Sequence, residues 1–163
     1  MSMEDRQVRL DKAAELQAQG YHDAAIELLE TELAHSPEDD AVQRALALAC
    51  AGKAEKLLGQ ADQLGQPPDA EKLDDIIQLL DRAIELDAEL GDAHWDKAVV
   101  AARFLQRLDE AAIHLNRAMQ LGYNHPMMPR LMAMIEQDQP EPPPPDDAPP
   151  PLLALVIELV NQA

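Results

Sequence analysis

The sequence predicts an all-α protein: an α-solenoid of three helical hairpins, then a capping helix, and a C-terminal apolar helix after a proline-rich linker. Three observations carry this expectation. No stretch alternates apolar and polar residues with period two, whereas apolar residues recur at helical spacing over most of the chain. The segment LDEAAIHLNRAMQL at residues 108–121 has a counterpart 35 residues upstream at 75–86, where Leu80 matches Leu115, Ala83 matches Ala118 and Leu86 matches Leu121; another copy lies at 23–33. Repetition at such a period marks two-helix units that bury their apolar faces only by stacking. Aromatics are limited to Tyr21, Trp95, Phe104 and Tyr123, so the core must be built from Leu, Ala, Ile, Val and Met, which favours close helix–helix packing.

The first helix is expected over residues 5–19, with Val8, Leu10, Ala13, Ala14 and Leu16 at its apolar positions. Gly20 and Tyr21 make the turn, since glycine takes the positive φ that helix ends often need. Helix two covers 22–35 and stops at Ser36-Pro37, because proline restricts the residue before it and cannot continue the ladder. Helix three is expected from 40 to 64 on the pattern AVQRALALACAGKAEKLLGQADQL. It makes the second repeat about 17 residues longer than the first, read as an elongated helix and a longer connection around residues 65–68. Gly52 and Gly59 each weaken that helix by roughly 1 kcal/mol relative to alanine, which leaves room for a break there without requiring one.

Pro68 suits the position ahead of a fourth helix at 70–87, where its missing N–H costs little. Helices five and six are placed at 92–105 and 108–121, and GYNHP at 122–126 ends the third hairpin. A capping helix follows at 127–137, carrying Met127, Met128, Met132 and Met134. Methionine adapts to irregular surfaces, although packing on helix six is the expected role. The chain thus divides into a helical domain at 1–137, a linker at 138–151 and an apolar helix at 152–163. The linker holds eight prolines in fourteen positions and should be a stiff spacer reaching about 43 Å. The apolar helix presents Leu152, Leu153, Leu155, Val156, Ile157, Leu159 and Val160 for docking, in the groove of its own chain or of a neighbour. At about 14 Å its apolar run is less than half a hydrocarbon core, so no membrane insertion is expected.

The resemblance carried by these copies is to the tetratricopeptide repeat (TPR) family, over residues 6–122. Family positions that pack helix on helix fall on Gly20, Ala25, Leu33 and Pro37 in the first copy, and on Trp95, Ala98, Val99, Ala111 and Ala118 in the third. Glu32 stands where the family prefers alanine and Ala88 where it prefers proline, which implies a looser corner between helices four and five. The resemblance implies a concave groove lined by the first helix of each hairpin. Projected onto this chain, the groove consists of Gln7, Leu10, Ala14, Arg44, Leu48, Ala51, Asp96, Val100 and Arg103. Family members that clamp a terminal carboxylate use Lys and Asn at groove positions. Here Asn116 and Asn124 lie beyond the groove helices and Lys12 has no matching partner, so that clamp is not expected.

Helices three and five are apolar nearly all round, which calls for cover on every side and suggests an occupant of the groove. The net charge of −18 disfavours nucleic acid and anionic membranes and favours a basic partner or one with an amphipathic helix. Cys50 is alone, which excludes a disulfide or cysteine-based zinc site within the chain. MSMEDRQ has no apolar run, so no secretory signal is expected and the cytoplasm is the expected location. His22, His35, His94, His114 and His125 form no HExxH or i, i+4 pair; His22, His35 and His125 sit at helix ends, where capping or solvation is expected. No phosphate loop or nucleophile elbow occurs, so neither cofactor nor catalysis is expected. The function read from the sequence is a protein–protein interaction scaffold that binds a helical or extended peptide and is regulated by its own C-terminal helix. The alternatives are a dedicated chaperone for an apolar client segment and a protomer that forms homo-oligomers through that helix.

Overall fold

The computed structural model describes residues 3–137. The linker and the C-terminal docking segment at 138–163 lie outside the described residues. The helices are α1 (Met3–Ala18), α2 (His22–His35), α3 (Asp40–Leu64), α4 (Ala70–Leu86), α5 (Gly91–Arg103), α6 (Leu108–Gln120) and α7 (Met128–Gln137), with no strand among the described residues. Local chemistry explains the boundaries. Asp39 caps α3 by accepting from the backbone N–H groups of Ala41 and Val42 at 3.0 and 3.3 Å, and Asp69 caps α4 by accepting from Lys72 N–H at 2.9 Å. Gly20 turns the chain after α1 with φ +79°, and the N–H of Tyr21 returns to the Leu16 carbonyl.

α3 runs unbroken through both of its glycines from Asp40 to Leu64, the span expected from the sequence. Gly52 has a packing reason to be glycine: a Cβ there would stand 2.9 Å from the His22 ring of α2. His22 is therefore a packing residue rather than a solvated helix end.

The helices pair as α1/α2, α3/α4 and α5/α6, while α2 also packs on α3 and α4 on α5. The odd-numbered helices touch in sequence, α1 to α3 to α5 to α7, whereas among the described residues α2, α4 and α6 do not touch one another. A row packed on one side and splayed on the other curves towards the packed side, so the odd helices line the concave face. Fully buried alanines, including Ala13, Ala25, Ala47, Ala83, Ala98 and Ala118, let the helices approach closely.

Two core clusters result. One joins α1 to α4 and takes in Leu90, Ala93 and Val100 around α5, with Leu29, Leu46, Ile76 and Leu80 at its centre. The other gathers Trp95, Ala98, Ala101 and Ala102 of α5 with Leu115 of α6 and Leu131 and Ile135 of α7. α3 is covered by α1, α2, α4 and α5, and α5 by α3, α4, α6 and α7. Most of their apolar circumference is thus covered by neighbouring helices, with Leu48 of α3 left exposed.

Candidate functional site

The concave face is built from the odd helices, and α3 and α5 set its centre. Their register follows from an ion pair of 3.0 Å between Arg103 Nη2 and Asp62 Oδ1, which joins residues 41 apart near the C-terminal ends of both helices. The helices therefore run parallel, and the same offset places Glu55 across from Asp96. Of the projected groove residues, Gln7, Ala14, Arg44, Leu48 and Arg103 are exposed, Leu10 and Asp96 are part-buried, and Ala51 and Val100 are buried. Val100 is fully enclosed in the α1–α4 core. Arg44 Nε lies 3.4 Å from Asp87 Oδ2. Leu48, 42 % exposed, is the large apolar side chain that this set offers to solvent.

Asp96 has the distinctive environment. Burial raises its carboxyl, and the negative charges of Glu55 on α3 and Asp92 one turn earlier on α5 raise it further, to about 7. Among the described residues no ion pair reaches it. The Tyr123 phenol, in the loop after α6, is also held above its ordinary value, first by burial and then by Asp96, Asp92 and Glu55. Tyr123 is fixed by close packing: a Cβ added at Gly91 would stand 2.9 Å from Tyr123 Cβ, and the Trp95 and Tyr123 ring centres are 6.4 Å apart. His125 stacks on Trp95 at 4.5 Å and its Nδ1 accepts from Met127 N–H at 3.2 Å ahead of α7, so this ring both packs and caps, the helix-end role expected of it. Beyond burial, Glu55 and Asp92 thus raise Asp96, and all three carboxylates raise the nearby Tyr123 phenol, an arrangement whose chemistry suits a cation.

Sequence projection named Asp96 but not its surroundings. Glu55 is one helical turn after the projected Ala51, and extending the stripe by that turn would have found it. Tyr123 has no such signal, because its place depends on how the chain leaves α6.

The remaining titratable groups sit elsewhere. His35 Nδ1 is 2.6 Å from the Thr31 carbonyl, the capping role expected of it. Lys97 is buried and ion-paired to Asp81 of α4, with Glu110 at 3.9 Å. His94 of α5 meets His114 of α6, a pairing that the spacing of histidines along the chain did not reveal. Among the described residues no group of three or more His, Cys, Asp or Glu side chains could hold a metal ion, and no helix is long and apolar enough to cross a membrane.

No protein-family model and no curated protein matches this chain. It is similar to a solved structure described as the first TPR of Spaghetti (RPAP3) bound to the HSP90 peptide SRMEEVD, at 18 % identity and a TM-score of 0.49, over 84 % of this chain and 94 % of that one. It is also similar to the first TPR domain of human RPAP3 determined by NMR, at 17 % identity and a TM-score of 0.46, over 82 % of this chain and 96 % of that one.

Proposed function

We propose that this chain is a protein-interaction scaffold whose concave face holds a peptide or helical segment, anchored by a Lys or Arg side chain at Asp96. The observation that carries this reading is the placement of Asp96, a part-buried carboxylate faced by Glu55 and Asp92 and by no cation among the described residues. Such a group weakens the fold it sits in. Residues that cost stability in this way are a mark of binding surfaces, because a partner's cation would turn the cost into a gain. The overall charge of −18 adds long-range attraction for a basic partner. An all-apolar client fits less well, since the exposed Leu48 stands one helical turn from the charged Arg44. Regulation by residues 152–160 belongs to the same reading as a competing occupant of the face, and no catalytic role is proposed.

Fluorescence anisotropy with a set of labelled amphipathic peptides, identical except for lysine, glutamine or glutamate at one position, tests the proposal on the full chain. Lysine peptides should bind most tightly and weaken as salt is raised. Asp96→Asn should lower their affinity about tenfold, the scale of one part-buried charge pair, while Asp109→Asn on the exposed first turn of α6 should not. Equal binding of the lysine and glutamate peptides would overturn the assignment.

A further inference from the structure

Two histidine rings from different helices meet at the junction of the second and third hairpins. His94 Nδ1 lies 3.0 Å from His114 Nδ1, and His94 Nε2 lies 3.2 Å from the Ala88 carbonyl in the α4–α5 corner. The protons follow from the partners. A carbonyl only accepts, so His94 Nε2 carries the hydrogen and donates it to Ala88. The neutral His94 ring then has a bare Nδ1, which can only accept, and the donor to it must be Nδ1–H of His114. His114 Nε2 is left with the open lone pair. One chain of donors therefore runs from α6 through α5 to the corner that carries Ala88 where the TPR family prefers proline. That corner, expected from the sequence to be loose, is tied by this bond and by Asp87, whose side chain accepts from Glu89 N–H at 3.0 Å.

The donor chain has a limited capacity for protons. A first proton can add to the lone pair of His114 Nε2, and the Nδ1–H to Nδ1 bond survives with a charged donor. A second proton must add to His94 Nδ1, and two N–H groups then face each other across 3.0 Å. We propose that the His94–His114 pair is a proton-operated latch, which takes one proton with its bond intact and opens on the second, releasing the α4–α5 corner from α6. The surrounding charges set how hard the latch is to open. His114 is faced by Lys97 of α5, by Glu110 of its own helix and by Asp81 of α4; His94 is faced by Arg117 of α6. The charges acting on the pair thus stand on α4, α5 and α6. Burial holds both rings below the ordinary histidine range, so the bond is intact at neutral pH and opening belongs to acid.

Long-range nitrogen–proton NMR correlations of the imidazoles in the full chain, followed from pH 8 to pH 4, test the latch. At pH 8 His94 should show the Nε2–H tautomer and His114 the opposite Nδ1–H tautomer. On acidification His114 should titrate first. Amide protection factors along α5 and α6 should fall about tenfold only with the second step, the scale expected for loss of one part-buried hydrogen bond. His114→Asn supplies an amide that donates Nδ2–H to the neutral His94 ring and, once flipped, accepts through Oδ1 from the protonated ring, so it should remove that acid-dependent fall; if this variant does not fold, the tautomers of the unsubstituted chain decide the matter. Two Nε2–H tautomers at pH 8, or two rings titrating independently near the ordinary value, would overturn the proposal.

Discussion

Replacing Asp96 by asparagine should stabilise the protein at neutral and alkaline pH. The substitution keeps shape and volume but removes a charge that burial and two neighbouring carboxylates oppose. The folded chain holds the Asp96 proton more tightly than the unfolded chain, in which the group titrates near 3.8. Folding therefore becomes less favourable as pH rises from about 4 to about 7, and the penalty is constant above that. The interval between 3.8 and about 7, at about 1.4 kcal/mol per pH unit, amounts to about 4 kcal/mol. That figure is an upper bound, because a part-buried carboxylate relaxes and draws water. Urea unfolding followed by far-UV circular dichroism measures it. With a slope of about 2 kcal/mol per molar urea, the midpoint of Asp96→Asn should exceed that of the unsubstituted chain by up to about 2 M at pH 8. At pH 5 the advantage should shrink to less than half of this, since only the interval from 3.8 to 5 contributes. Equal midpoints at pH 8, or an advantage that does not shrink with acid, would refute the argument that Asp96 is desolvated and without a cation.

Gly91→Ala should cost about 1–3 kcal/mol of stability, read by the same melts, because its Cβ would stand 2.9 Å from Tyr123 Cβ in a cluster held by Trp95. The same variant should weaken lysine-peptide binding by displacing Tyr123 from the three carboxylates. Cys50 should resist thiol reagents in the folded protein and react fully in denaturant, since it is buried and its thiol is pushed up to about 11; rapid labelling under native conditions would contradict the enclosed core drawn around α3.

The helices were legible in the sequence because their ends are punctuated by side chains that act locally. Ser36-Pro37 and Pro68 need no knowledge of the fold to be read, the Asp39 and Asp69 caps fall beside them, and the described boundaries lie within about two residues of expectation. Stacking was legible for a related reason: of the residues that repeat, Leu80, Ala83, Leu115 and Ala118 are buried and Leu86 and Leu121 half-buried. What escaped depends on register between helices distant in sequence. The all-apolar circumference of α3 resembled a surface awaiting an occupant, yet most of it meets other helices of the same array and Leu48 is the large apolar side chain left exposed. His94 and His114 sit 20 residues apart on separate helices, so no spacing rule for a single helix could join them. Asp96 looked like an ordinary groove residue, and its raised carboxyl became apparent only once Glu55 was placed across from it.

The position of α5 between the two core clusters has a consequence for cooperativity. Ala93 and Val100 are shared with one cluster while Trp95, Ala98, Ala101 and Ala102 belong to the other, so a single thirteen-residue helix acts as a keystone. Neither half of the array can melt without stripping α5 of contacts that the other half needs. An assembly of repeated units, which could have frayed from its ends one hairpin at a time, is thereby coupled at its middle.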